Sequence, residues 1–158
     1  MSKPSVYLET TIVSYLTARP SRDLITTACQ QLTHEWWENR RAHYDLYISD
    51  RVIIEASAGN AEMAQLRLEK LKKISVLSVS DEVKELAKLI IKKTGIPPKA
   101  SEDAIHIALT AVNELDYLLT WNCKHIANAH VIKQIGLLFA AEGLKCPVIC
   151  TPQELMEN

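Results

Sequence analysis

The chain reads as an α/β sandwich, with parallel strands covered by helices on both faces. Three observations carry that reading. Five short runs are continuously apolar instead of alternating, the pattern of strands buried on both sides. Helical patterns separate successive runs, so crossovers join parallel strands. Finally, 47% of the residues are hydrophobic, which supplies a core. The 158 residues suit a single domain, 1–158, with no repeat or low-complexity linker to divide it.

The first strand is "SVYL", residues 5–8. Thr10 and Thr11 then lead into "IVSYL", which opens a helix. A long polar helix follows over residues 24–41, and "LYIS" at 46–49 is the second strand. A helix pair covers 50–58 and 61–72, with Asp50 as the expected cap of its first member. The third strand is "ISVLSV", residues 74–79. Ser80 then caps "DEVKELAKLIIKKTG", whose last turn carries Lys92 and Lys93 before Gly95, as capping and the helix dipole favour. Ser101, after two prolines, is the expected cap of "EDAIHIALTAVNEL". "YLLT" at 117–120 is strand four, a further helix ends near Gly143, and "PVIC" at 147–150 is strand five. A short turn follows Pro152.

Right-handed crossovers are expected, and ligands sit beyond the carboxyl ends of the strands where the strand order reverses. Glu9 leaves strand one, the expected centre of the sheet, and Asn122 leaves strand four. Both therefore fall in the expected functional zone.

A formal net charge of −1 excludes a global basic field, so affinity for nucleic acid needs a local basic patch or metal ions. Cys29, Cys123, Cys146 and Cys150 form no CxxC pair, which points away from zinc and toward a reducing compartment. The opening "MSKPSVYLET" has no apolar signal core, and no run reaches the ~18 apolar residues of a membrane span. The expectation is a cytoplasmic protein with no membrane partner.

Four residues are candidates for chemistry. Glu9 serves either as a helix cap or as a ligand at the strand end. Glu55, inside "VIIEASAG", is either exposed on a polar strip or held by a partner. Asp103 suits the first turn of its helix through the dipole. It also shares a polar stripe with His106, Thr110 and Glu114, which could be a solvated face. Yet that helix is apolar over most of its circumference, so Asp103 is expected to face inward and Glu102 outward. Asn122 is either a turn residue or an oxygen donor to a hard cation. Taken together, clustered carboxylates need a cation or proton to relieve their repulsion. Oxygen-only donors suit Mg²⁺ or Mn²⁺, ions that activate water and stabilise a phosphoryl transition state. Metal-assisted phosphodiester hydrolysis follows. A flavodoxin-like cofactor domain fits less well, since the glycines are too scattered for a phosphate loop.

Four segments, "VYLETTIVSYL", "YISDRVIIEAS", "SEDAIHIALTA" and "DYLLTWNCKHIAN", resemble the landmarks of PIN-domain ribonucleases, in particular the VapC-like branch. The resemblance runs from Val6 to about Leu155. It implies a three-layer α/β/α fold with a five-stranded parallel sheet, and cleavage of RNA dependent on Mg²⁺ or Mn²⁺. By the same resemblance the family's acids fall on Glu9, Glu55, Asp103 and Asn122, and its small hydroxyl residues on Thr11 and Thr120. Glu9 and Asn122 depart from the usual Asp. Metal would bind chiefly through Glu9 and Asp103, with Asn122 in an outer role and Glu55 at the attacking water. Many relatives are toxins, so an antitoxin protein and a homodimer are further implied partners. The altered acids leave an alternative: a PIN-like module that binds nucleic acid or protein without turnover.

Several other residues carry plainer expectations. His106 and His125 are read as surface or hydrogen-bonded histidines, and Arg40, Arg41 and His43 as a solvated helix end. One of Trp36 and Trp37 is expected in the core and the other partly exposed; Cys146 and Cys150 are expected as buried thiols.

Overall fold

In the computed structural model, residues 2–156 are described; Met1, Glu157 and Asn158, included in the single-domain expectation, lie outside them. Five parallel strands form one sheet: β1 (Ser5–Leu8), β2 (Asp45–Ser49), β3 (Ser75–Leu77), β4 (Tyr117–Leu119) and β5 (Val148–Cys150). Their order is β3-β2-β1-β4-β5. The chain moves outward from β1 to β3 and then returns to β1's other side. The order therefore reverses between β1 and β4, and in sheets of this kind the carboxyl ends of the strands at such a reversal are where ligands bind.

The helices are α1 (Thr10–Thr17), α2 (Leu24–Asn39), α3 (Asp50–Ala56), α4 (Ala61–Leu71), α5 (Asp81–Lys93), α6 (Ser101–Val112) and α7 (Ala129–Ala141). One group packs around α1, which touches α2, α3 and α4; in the other, α5 packs on α6 and α7. With the sheet they make the three-layer α/β/α architecture. Among the described residues no helix is long and apolar enough to cross a membrane.

Local chemistry sets most boundaries. Asp23, Ser49, Asn60, Ser80 and Asn128 each accept a backbone N–H in the first turn of the helix they cap. Ser49, not Asp50, caps α3, because β2 runs one residue into the turn and leaves the serine in extended geometry. Likewise Ser101 is already helical, and Ala100 precedes α6 without a side-chain cap. Glu102 and Asp103 in the first turn of α6 complement its dipole instead. The long helix stops at Asn39, and a tight turn, Arg41–His43, leads into β2.

The core lies on both faces of the central strand, where Val6, Tyr7 and Leu8 are all buried. Trp36 and Trp37 are both buried, which corrects the expectation that one would be partly exposed. Trp36 stacks on Tyr44, while the Arg41 guanidinium covers the Trp37 ring at 4.6 Å and donates to the Trp37 carbonyl at 2.9 Å. Arg41 is thereby a packing residue. Cys150 is buried but Cys146 is exposed, because it precedes β5 and lies outside the sheet.

The two faces of the helices differ sharply in cost. Ile107 is fully buried on α6, whereas Ile54 on α3 is 62% exposed. Ile107→Ala is expected to lose about 2–5 kcal/mol of stability in urea unfolding, and Ile54→Ala well under 1 kcal/mol. Similar losses for both would contradict the placement of α6 against the sheet.

Candidate functional site

The reversal point between β1 and β4 is where polar groups gather. Glu9 ends β1 and is only 5% exposed. Its backbone N–H donates to the Leu119 carbonyl of β4 at 3.1 Å, so the two strand ends are joined at this residue. Its side chain turns back to cap α1: Oε1 accepts the Thr11 N–H at 3.2 Å, the Thr11 hydroxyl, and the Thr120 hydroxyl at 2.6 Å. Both uses weighed for Glu9 are thus present, since it is a cap and a strand-end acid. The second oxygen, Oε2, takes no hydrogen bond among the described residues, and it is not sealed from solvent.

Glu55 projects from α3 and is half-buried. Its Oε1 accepts from the Thr10 hydroxyl and from His106 Nε2, the latter at 2.8 Å. Here too the other oxygen is left without a partner among the described residues. Asp103, inward on α6 as expected, pairs through Oδ2 with His125 Nδ1 at 3.0 Å, and Oδ1 is left over. Glu102 turns outward to Arg51 at 3.0 Å. Each of Glu9, Glu55 and Asp103 therefore has one oxygen fixed by the protein and one without a hydrogen bond among the described residues.

Asn122 holds the loop after β4. Its Oδ1 accepts the His125 N–H at 3.0 Å, its N–H donates to Thr120 Oγ1 at 2.9 Å, and its carbonyl accepts from Ile126 and Ala127. Asn122 reaches Asp103 only through His125. Thr120 links the two halves, donating to Glu9 and accepting from Asn122. Thr11 accepts the Trp121 N–H at 2.8 Å, a second tie across the reversal point.

His106 is the residue that sequence reasoning undervalued. It is fully buried, and so is Thr110, so the polar stripe of α6 is not a solvated face. Nε2 meets Glu55, while Nδ1 lies 2.6 Å from the Tyr7 hydroxyl, which lies 2.8 Å from Ser49 Oγ. The available signal was the spacing Asp103–His106 on an otherwise apolar helix. Tyr7 and Ser49, inside apolar strands, gave no signal.

The electrostatics are coupled through His106. Burial opposes its charge, yet the Glu55 hydrogen bond and the charges of Glu9, Glu55 and Asp103 raise its pKa above the ordinary value. Burial raises the Glu9 pKa, and the His106 charge and the two threonines offset this only in part. Burial also pushes Glu55 upward, but its His106 and Thr10 bonds and the Arg51 charge outweigh it and leave it below the usual carboxylate value. Burial keeps the Tyr7 phenol protonated.

Three unbonded carboxylate oxygens are chemically suited to a hard divalent cation. Among the described residues, no three His, Cys, Asp or Glu side chains form a group that could hold a metal by themselves.

No family model and no curated protein matches the chain. Solved structures do. A toxin–antitoxin complex from Klebsiella pneumoniae is 18% identical with a TM-score of 0.56, over 75% of this chain and 88% of that one. VapBC2 from Rickettsia felis, bound to a promoter DNA fragment, is 13% identical with a TM-score of 0.53, over 93% and 98% of the two chains. Mycobacterium tuberculosis VapC20, a sarcin–ricin loop cleaving toxin, is 14% identical with a TM-score of 0.55, over 72% and 86%. The likeness is one of fold: the chain has the VapC-like PIN architecture.

The hydroxyl cradle of Glu9 can be tested by Thr120→Val, which keeps the shape and removes one donor. Losing that bond to a buried carboxylate is expected to cost about 1–3 kcal/mol. The lost bond favours the ionised acid, so the variant's Glu9 pKa rises further. The deficit is therefore largest in mildly alkaline solution and shrinks as pH falls through the range where Glu9 gains its proton. Urea unfolding at several pH values measures this. A deficit independent of pH would assign the whole effect to the Asn122 N–H that Thr120 also accepts.

Proposed function

We propose that this chain of PIN-type fold is a metal-dependent ribonuclease that hydrolyses RNA phosphodiesters, and that it serves as the toxin of a toxin–antitoxin pair. One observation carries the reading. Glu9, Glu55 and Asp103 each keep one oxygen tied to protein donors, while the other takes no hydrogen bond among the described residues, and Glu9 stands at the strand end where the order reverses.

Within this reading Glu9 and Asp103 hold Mg²⁺ or Mn²⁺. When bound, the ion supplies an activated water and charge stabilisation for the phosphoryl group. Glu55 orients the attacking water and takes its proton as the water oxygen bonds to phosphorus. The phosphorus bond to the leaving sugar oxygen breaks, and that oxygen is protonated from solvent. Asn122 acts outside the metal, by fixing the turn that sets His125 against Asp103. Fold neighbours that are toxin–antitoxin complexes support an antitoxin protein as partner, and the neighbour that cleaves the sarcin–ricin loop supports RNA as substrate. A homodimer in the cytoplasm completes the reading.

A second reading, a binding module without turnover, rests on Asn122. Its Oδ1 is committed to the His125 N–H, so this position brings neither charge nor a free oxygen. The two readings part in one assay. Purified protein incubated with single-stranded RNA is expected to cleave it with Mg²⁺ or Mn²⁺ and to stop with excess chelator. Asp103→Asn is expected to slow cleavage by roughly 100-fold or more. Cleavage unchanged by Asp103→Asn would remove that residue from the mechanism. Metal binding with no cleavage by the unaltered chain would favour the module.

A further inference from the structure

The roles given to Glu9, Glu55 and Asp103 leave a buried polar chain without a purpose. It runs from Glu55 through His106 and Tyr7 to Ser49. His106, Tyr7 and Ser49 are all buried, and each comes from a different element: α6, β1 and β2. Buried hydroxyls and imidazoles are costly unless every one is paired, and Phe or Leu would fill this space more simply.

The chain closes on itself. Ser49 Oγ accepts the Val52 N–H at 3.3 Å and so caps α3, the helix that carries Glu55. From Ser49 the path runs along α3 to Glu55, across to His106, on to Tyr7 and back to Ser49. The ring fixes Glu55 relative to the central strand and to the helix that carries Asp103.

The hydrogens can also run in two directions. With neutral imidazole, Nε2–H donates to Glu55 and Nδ1 accepts from Tyr7. With imidazolium, both nitrogens donate, and Tyr7 turns its hydroxyl hydrogen to Ser49. In both cases Glu55 Oε1 receives an N–H, beside the Thr10 hydroxyl on the same oxygen. Two donors on Oε1 leave Oε2 as the one oxygen open to an incoming water.

We propose that His106 is a positioning residue for Glu55. Backed by Tyr7 and Ser49, it locks the carboxylate so that a single oxygen is presented to the attacking water. This rests on the hydrolytic reading of the site.

Asparagine and glutamine separate the two ring nitrogens. His106→Asn can keep a partner for Tyr7 but loses the donor to Glu55. His106→Gln keeps a donor near the Nε2 position. The Asn variant is expected to lower kcat for RNA cleavage by roughly 10-fold to 100-fold with KM little changed, and the Gln variant to recover much of that loss. A merely structural role would lower thermal stability in both variants and leave kcat per folded molecule equal. Equal kcat values, with the unaltered chain active, would overturn the proposal alone. An unaltered chain that cleaves no RNA would overturn the hydrolytic reading and the proposal with it. Should either His106 variant fail to fold, Tyr7→Phe carries the test, because it removes only the hydroxyl behind the imidazole. A fall in kcat at constant KM supports the proposal, and an unchanged kcat overturns it.

Discussion

The structure depends on a carboxylate buried at the end of its central strand. Burying Glu9 in ionised form requires donors, and the chain supplies them from both sides of the reversal point. Thr11 comes from the helix that follows β1, and Thr120 from the end of β4. The same demand explains why the two strand ends are stitched together here. Glu9 bonds to Leu119 through the backbone, and Thr11 receives the Trp121 N–H. Satisfying one acid thus aligns β1, α1 and the loop after β4, and that loop is where Asn122 and His125 stand.

Much of this was legible in the sequence because strand burial writes itself as composition. All five strands are three to five residues long, and each lies inside the apolar run read from the sequence or within one residue of it, although the edge strand β3 contains no buried residue. Glu9 was legible for the complementary reason, since an acid directly after "VYL" interrupts a buried run. Asp103 and Glu102 could be sorted into inward and outward by the apolar circumference of α6, and the Arg51 pair on Glu102 matches that sorting. The caps expected at Asp50 and Ser101 each fell one residue too late, because an acid or serine beside a strand or a turn satisfies the same local pattern one residue either way. Only the backbone geometry of the preceding residue separates the two cases.

The partners of the acids were not legible, for a different reason. Tyr7 and Ser49 sit in strands where their neighbours are apolar, and a phenol or hydroxyl in a strand is unremarkable in sequence. Their meaning arises only when β1, β2 and α6 meet, some 99 residues apart along the chain for Tyr7 and His106. The Trp pair failed similarly. Adjacent residues on an exposed helix point to different sides, yet the turn after α2 folds Arg41 back over Trp37 and removes it from water.

Asn122 shows how the charge of such a site can be redistributed without losing its shape. An acid at this position would place a fourth negative charge near Glu9, Glu55 and Asp103, and mutual repulsion would then have to be met by cations alone. The amide keeps the geometric duty, accepting the His125 N–H that builds the turn, and gives up the charge. His125 then answers Asp103 directly, and His106 answers Glu55. Two of the three acids consequently share one oxygen with an imidazole, while Glu9 is held by neutral hydroxyls and a backbone amide and meets the His106 charge without a hydrogen bond to it. Glu9 is therefore the acid whose ionised form most needs an added positive charge, and burial raising its pKa is the same fact seen as a proton affinity. On the metal-dependent reading proposed above, a divalent ion and a proton would compete for that one need. The attraction for a cation would then be set less by the number of carboxylates nearby than by how incompletely the protein satisfies the one at the centre of the sheet.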